Sequence, residues 1–356
     1  MMPGIRRPLK ADRKHRKGGD DGWNQGRGTR GRGVGQHGLL CAVRQARDLG
    51  EDRRQGARRH PRAAVHAGRL RPEDAGYPQP DPAVSEPIRG DINEAKYNAY
   101  FLHTARQARN AGYDVLLLSG EDAVDDIRRV TRSNMVDGVL LLDIVEDDER
   151  VAEAGSYGKP CVAIGYPSRK GDCACVDIDF PAAADLAVRY LHGKGHRDVI
   201  LLRDNERDYE RQSGYVLTLR RLMLERAGEM GMRVTESAKN EFGRFDARAF
   251  VDGLLKSLPR PTAIISQADA DTLNMVTREL ENRGIDIPGD ISILSCGTFL
   301  KNELVAHPVT EIPLMPRLLC SKAVGLLLSA VEDGRTIGAE SEFVPPESRT
   351  AARCAP

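Results

Sequence analysis

The residues best placed to do chemistry lie between Cys175 and Tyr215. A short apolar run ends in acid at Asp179. A helix-period stretch follows, with Leu186, Ala187, Tyr190 and Leu191 on one face; Gly193 and Gly195 stop it, and Val199–Leu202 reads as the next buried strand. This is a strand–helix–strand unit whose strands most simply lie parallel. Ligands of open parallel sheets sit beyond the carboxyl ends of the strands, where Asp179 stands. A carboxylate there accepts hydrogen bonds from hydroxyls, and the guanidinium of Arg211 offers a planar fork of donors. The competing role for Asp179 is the N-cap of the helix from Ala182 onward; for Arg211 it is a solvated helix charge. No Ser–His–Asp ordering, phosphate loop or metal-ligand spacing accompanies them, so Asp179, His196 and Cys173 do not make an enzyme site, and no cofactor is expected.

The elements that must hold these residues alternate regularly. Helices are expected over 93–110 (stripe Ala95, Ala99, Leu102, Ala105, Ala108), 122–133, 149–157, 211–230, 247–258, 271–282 and 317–331. Apolar strands are expected at 113–118, 136–142, 160–164, 262–265 and 291–294, with short ones at 234–237, 309–312 and 343–344 and a poor strand remnant at Ala83-Val84. The pattern restarts after Leu202. It predicts an α/β protein of two lobes, each a parallel doubly wound sheet, about 83–203 and 204–312 with late crossovers, in a domain over 81–352. Clefts between lobes are preferred small-ligand sites.

Charge divides the 356-residue chain differently. Its net charge of +1 averages a basic start and an acidic body. Residues 1–80 carry 19 lysines and arginines against 8 acids and hold 14 of the 35 glycines, so this segment is expected to be disordered. It could hold nucleic acid through phosphate charge alone, without the aromatics of a stacking platform. The seven cysteines are scattered, and the one close pair, Cys173 and Cys175, lacks zinc-knuckle spacing. Reduced thiols, no metal site, no membrane span and a cytoplasmic location are expected.

Several phrases together resemble the lactose-repressor/galactose-repressor (LacI/GalR) family of bacterial transcription regulators over roughly residues 83–352. They are Gly112-Tyr-Asp-Val-Leu-Leu-Leu118, Val136-Asp-Gly-Val-Leu-Leu141, Asp179 followed by Leu186-Ala-Val and Gly195-His-Arg-Asp-Val-Ile200, Arg211-x-x-Gly214-Tyr215, Pro261-Thr-Ala-Ile264 leading to Asp269, and Gly284-Ile-Asp-Ile-Pro-Gly-Asp-Ile-Ser-Ile-Leu294. The resemblance implies a periplasmic-binding-protein-like fold, a homodimer, a small-molecule effector (a sugar or another metabolite) and operator DNA. It implies effector contacts from Asp179 and Arg211, with Asp269 as a third candidate. Two departures stand out. The family's Asn-Asp pair is Ala268-Asp269 here, and its Gly-Phe-Asp-Asp phrase is Ser295-Cys296-Gly297-Thr298, which loses an amide and two carboxylates of the kind sugar recognition uses.

The family begins with a helix-turn-helix headpiece, and nothing in residues 1–80 resembles one. Read one base out of step, however, the codons of residues 31–52 can encode Ala-Gly-Val-Ser-x-Ser-Thr-Val-Ser-x-Ala-Leu-Ser-Gly-Lys-Pro-Gly-Ile-Ser-Glu-Lys-Thr. That string resembles the family's turn and recognition helix. It predicts a frameshift ending near residue 80, and a chain that as written lacks specific operator binding. The alternative is a stand-alone cytoplasmic small-molecule binding protein.

Overall fold

The computed structural model divides the chain into two units, Met1–Glu73 and Asp74–Pro356. It describes residues 81–88, 94–241, 244–298 and 305–350, all within the second unit. The basic segment, its glycine run and the hidden reading frame lie outside the described residues.

The first half of this body runs β1 (Asp81–Ser85), α1 (Glu94–Asn110), β2 (Leu116–Leu118), α2 (Ala123–Arg132), β3 (Val136–Leu141), α3 (Glu149–Ala152), β4 (Cys161–Ile164) and β5 (Ala174–Ile178). The second runs α4 (Phe180–Gly193), β6 (Asp198–Leu202), α5 (Glu206–Glu210), α6 (Gly214–Glu229), β7 (Arg233–Glu236), α7 (Ala247–Lys256), β8 (Ala263–Ser266), α8 (Ala270–Asn282), β9 (Ser292–Thr298) and β10 (Thr310–Pro313). The chain then returns to the first half through α9 (Pro316–Asp333) and β11 (Ser341–Val344).

Two sheets result, ordered β11-β5-β4-β3-β1-β2 and β10-β9-β8-β6-β7, and every ladder in both is parallel. Helices cover both faces of such sheets, which is why β4, β5 and β8 are buried at every position and read as mainly apolar runs. The largest apolar cluster includes residues of both sheets together with α4, α6 and α9. This is the two-lobed α/β architecture that the alternation predicted.

The crossing points differ from the sequence reading. Strands β5 and β6 were expected to share a sheet; β5 lies in the first and β6 in the second. Helix α4 packs on α6, so the chain changes lobes at Asp179 rather than near residue 203. It crosses back between β10 and α9, where Met315 adopts a left-handed backbone (φ 51°). A last return follows β11: Arg349 and Glu311 exchange backbone hydrogen bonds of 2.8 and 2.9 Å.

Helix α1 buries Ala108 as expected, but the rest of its buried stripe differs. Thr104 and Ala108 are its buried residues, and Tyr100 and Phe101 pack on the core. Ala95 is exposed and Leu102 is 47% exposed, contrary to the expected face. Alanines carry little burial energy, so the aromatic side chains set the rotation of the helix.

Candidate functional site

In a doubly wound sheet the ligand crevice opens where the strand order reverses. In the first sheet that point lies between β1 and β3, and in the second between β6 and β8. The residues just past these strand ends are acidic: Glu86 after β1, Asp143 after β3, Asp204 after β6. A cavity of about 100 Å³ lies between the two sheets, lined from the first by Glu86, Lys96, Tyr97, Tyr100, Asp143, Tyr166 and Asp177. Asp208, Arg211, Ser213 and Tyr215 line it from the second.

One side of the cavity is an ion-pair network across the lobes. Lys96, on α1, donates to Asp204 Oδ2 (2.7 Å), to Asp208 Oδ2 (3.1 Å) and to the Tyr215 hydroxyl. Tyr215 in turn donates to Asp204 (2.8 Å). Arg211 places Nε and Nη2 on Asp208 Oδ1 (2.9 and 2.6 Å) and Nη1 on Asp143. Burial opposes the charge on Lys96, but Asp204 and Asp208 overcome it and hold the ammonium well above the usual lysine range. Arg211 is likewise pushed up, because Asp143 and Asp208 outweigh its burial. Burial raises the Asp208 carboxyl, yet Lys96 and Arg211 pull it below the usual range. Beside this network the backbones meet directly: Gly214 N donates to Ile144 O (3.1 Å) and Glu146 N to Gln212 O (2.9 Å). Gly165, also in the lining, has φ 131°, and a Cβ there would come within 2.6 Å of Ile144. Only glycine lets this loop approach so closely.

The other side is short of cations. Glu86 is 3% exposed, and its Oε2 has no hydrogen-bond partner among the described residues. Burial, then the neighbouring Asp143, push its carboxyl up to about 8, with Arg150 partly opposing. Arg150 is occupied elsewhere. It bonds Asp148 through Nε (2.9 Å) and Nη2 (2.6 Å), Ser85 O through Nη1 (3.1 Å) and Leu142 O through Nη2 (3.0 Å). It therefore ties the ends of β1 and β3 together and holds Glu86 and Asp143 in place. Burial also pushes Asp177 up to about 7, against the pull of the Ile178 and Tyr166 backbone N–H groups. The Tyr97 hydroxyl is buried without a partner among the described residues.

The comparisons with known proteins agree with this geometry. Residues 188–350 match the periplasmic binding protein-like domain model. The chain is 26% identical over 216 residues to the transcriptional repressor PurR of Vibrio campbellii, covering 58% of this chain and 61% of PurR. It is 23% identical over 203 residues to catabolite control protein A of Priestia megaterium, covering 55% and 60%. The matched part thus spans about 61% of the first of these relatives. A LacI-family regulatory protein from Chloroflexus aggregans superposes with a TM-score of 0.60 at 24% identity, over 75% of this chain and 95% of that one. The body of this chain has the periplasmic-binding-protein-like fold and is similar to these regulators.

The three residues that the LacI/GalR resemblance singled out lie apart. Arg211 is in the cavity lining, though not as a helix residue: it ends α5, and Gln212 (φ 60°) turns the chain before α6. Asp179 lies outside the lining and caps α4, accepting from Ala182 N at 2.9 Å, while its own N–H donates to Val344 O. Asp269, also outside the lining, caps α8 by accepting from Thr272 N at 2.8 Å. The departures lie outside it too. Ala268 is fully buried, and Ser295 and Thr298 share a buried hydrogen bond of 2.6 Å that continues to Glu311. Sequence reasoning missed Glu86, Lys96, Asp143 and Asp208. The strand-end rule applied to Asp179 reaches Asp143 directly after the strand expected at 136–142, and would have reached Glu86 had β1 been taken as a full strand.

Proposed function

We propose that this protein is a cytoplasmic, homodimeric LacI/GalR transcription regulator whose cleft binds a small-molecule effector and thereby sets its affinity for operator DNA. The cross-lobe network of Lys96, Arg211, Asp143, Asp204 and Asp208 carries the reading. A change in lobe angle breaks these pairs, so a ligand that holds the lobes together shifts the population of closed molecules. The kinship with PurR and catabolite control protein A supports the regulatory role. Among the described residues no helix is long and apolar enough to cross a membrane.

A thermal-shift screen of sugars and other small metabolites, repeated with Arg211→Ala, tests the site. A stabilising compound whose effect vanishes in the variant supports it; one whose effect survives puts the effector elsewhere. The composition of residues 1–80 favours a second reading, a core that binds its ligand without specific DNA recognition. Gel retardation separates the two: sequence-specific retention supports the regulator, and uniform, salt-labile retention supports the second reading. Sequencing the gene across its first ninety codons tests the frameshift, which fails if the other frame does not encode the headpiece string.

A further inference from the structure

The cavity's own charges do not balance. Its lining carries four carboxyl groups, Glu86, Asp143, Asp177 and Asp208, against two cations, Lys96 and Arg211. Lys96 is shared with a fifth carboxyl group, Asp204, and Arg211 is spent on Asp143 and Asp208. Arg150 stands nearby, but its bonds go to Asp148 and to backbone carbonyls. Among the described residues, therefore, no cation is bonded to Glu86 or Asp177.

A buried carboxylate needs a positive partner or must take up a proton. Glu86 is 97% buried, with an oxygen that meets no donor among the described residues, and it faces a cavity. Asp177 accepts the Ile178 N–H (2.8 Å), yet no basic side chain among the described residues is bonded to it. Around them stand the rings of Tyr97 and Tyr100, whose faces attract cations, and that of Tyr166, over which Lys170 already lies 4.4 Å from the ring centre. The opposite side offers the donors and acceptors of Lys96, Asp208 and Arg211 for hydroxyl groups. At about 100 Å³ the cavity is small beside the ~300–1,000 Å³ of drug-sized pockets.

Resting on the reading of this cleft as the effector site, we propose that it takes a compact, hydroxylated primary amine whose ammonium group is held by the Glu86 and Asp177 carboxylates. In the empty cavity each of these groups is neutralised by its own proton. When the ammonium ion enters, both carboxyl protons leave to solvent and the two carboxylates pair with the ligand.

The groups facing Glu86 are Asp143, Arg150, Tyr97, Tyr100 and Cys320, and those facing Asp177 are Tyr100 and Cys175. Arg150, the tyrosines and the thiols are all pushed up, away from neutrality. Amine affinity therefore rises with pH through the range in which Glu86 and Asp177 ionise. It gains about a hundredfold per pH unit below pH 7, where both groups must lose a proton, about tenfold per unit between pH 7 and pH 8, and levels off above about pH 8.

Isothermal titration of the full chain tests this with matched pairs: glucosamine against glucose, ethanolamine against ethylene glycol, and putrescine against 1,4-butanediol. The expected result is at least one amine binding tenfold or more tightly than its neutral partner, with the stated pH dependence and net proton release. That preference should be lost in Glu86→Gln and weakened in Asp177→Asn. Neutral compounds that bind as tightly as their amines, in a manner indifferent to Glu86→Gln, overturn the amine proposal and leave the effector site standing. If no member of either set binds, the amine proposal fails; if the wider metabolite screen then also finds nothing sensitive to Arg211→Ala, the effector site fails with it.

Discussion

The two sides of the cleft solve the problem of burying charge in opposite ways. On the lobe-bridging side Lys96 and Arg211 are matched to Asp204, Asp208 and Asp143, so the charges hold one another and close the lobes. On the other side no cation among the described residues is bonded to Glu86 or Asp177, and their carboxyl groups are pushed up towards or beyond neutrality. Buried charge in the first case maintains a conformation. In the second it leaves an unmet demand that a ligand can satisfy.

Substitutions on the two sides should accordingly move stability in opposite directions. Lys96→Ala strands two buried carboxylates and should cost about 3–5 kcal/mol in urea unfolding, the largest effect expected in the cleft. Glu86→Gln should do the reverse at high pH. The folded protein keeps a proton on Glu86 that the unfolded chain has released, so this group weakens the fold as pH rises from the usual glutamate range to about 8. The variant should therefore gain on the order of 2–3 kcal/mol over the natural protein between about pH 5 and pH 8, followed by urea midpoints across that range. Arg211→Ala removes a partly solvent-screened pair and should lose about 1–3 kcal/mol while opening the lobes, seen as a larger radius of gyration in X-ray scattering. The smallest changes belong to the caps. Asp179→Ala and Asp269→Ala should each lower stability by about 1 kcal/mol in thermal unfolding without altering ligand affinity, and a large loss of affinity would return them to the effector site.

Much of this architecture can be read from the sequence, because doubly covered parallel strands leave unbroken apolar runs such as Val199–Leu202 and Ala263–Ser266. The lobe to which a strand belongs leaves no such trace, so β6 was assigned to the wrong sheet. Of the residues expected to contact a ligand, only Arg211 lies in the lining of this cavity. Asp179 has the residue type and the strand-end position of a ligand contact, but a helix begins at once and its N–H groups claim the carboxylate. Glu86 sits after a five-residue strand containing Asp81 and Pro82, which weakened its apolar signal. Lys96 and Asp208 meet across 112 residues, and nothing in their local sequence announces the partnership.

The asymmetry between the two sides can be measured directly at Glu86. In protein carrying carboxyl-labelled glutamate, with the signal assigned by its loss in Glu86→Gln, an NMR titration of the ligand-free chain should place the Glu86 midpoint near 8. A bound primary amine should move it below the usual glutamate value of about 4.3. A midpoint already near 4.3 in the empty protein would mean that Glu86 has a charge partner or solvent, and that the cleft holds no unmet demand for a cation.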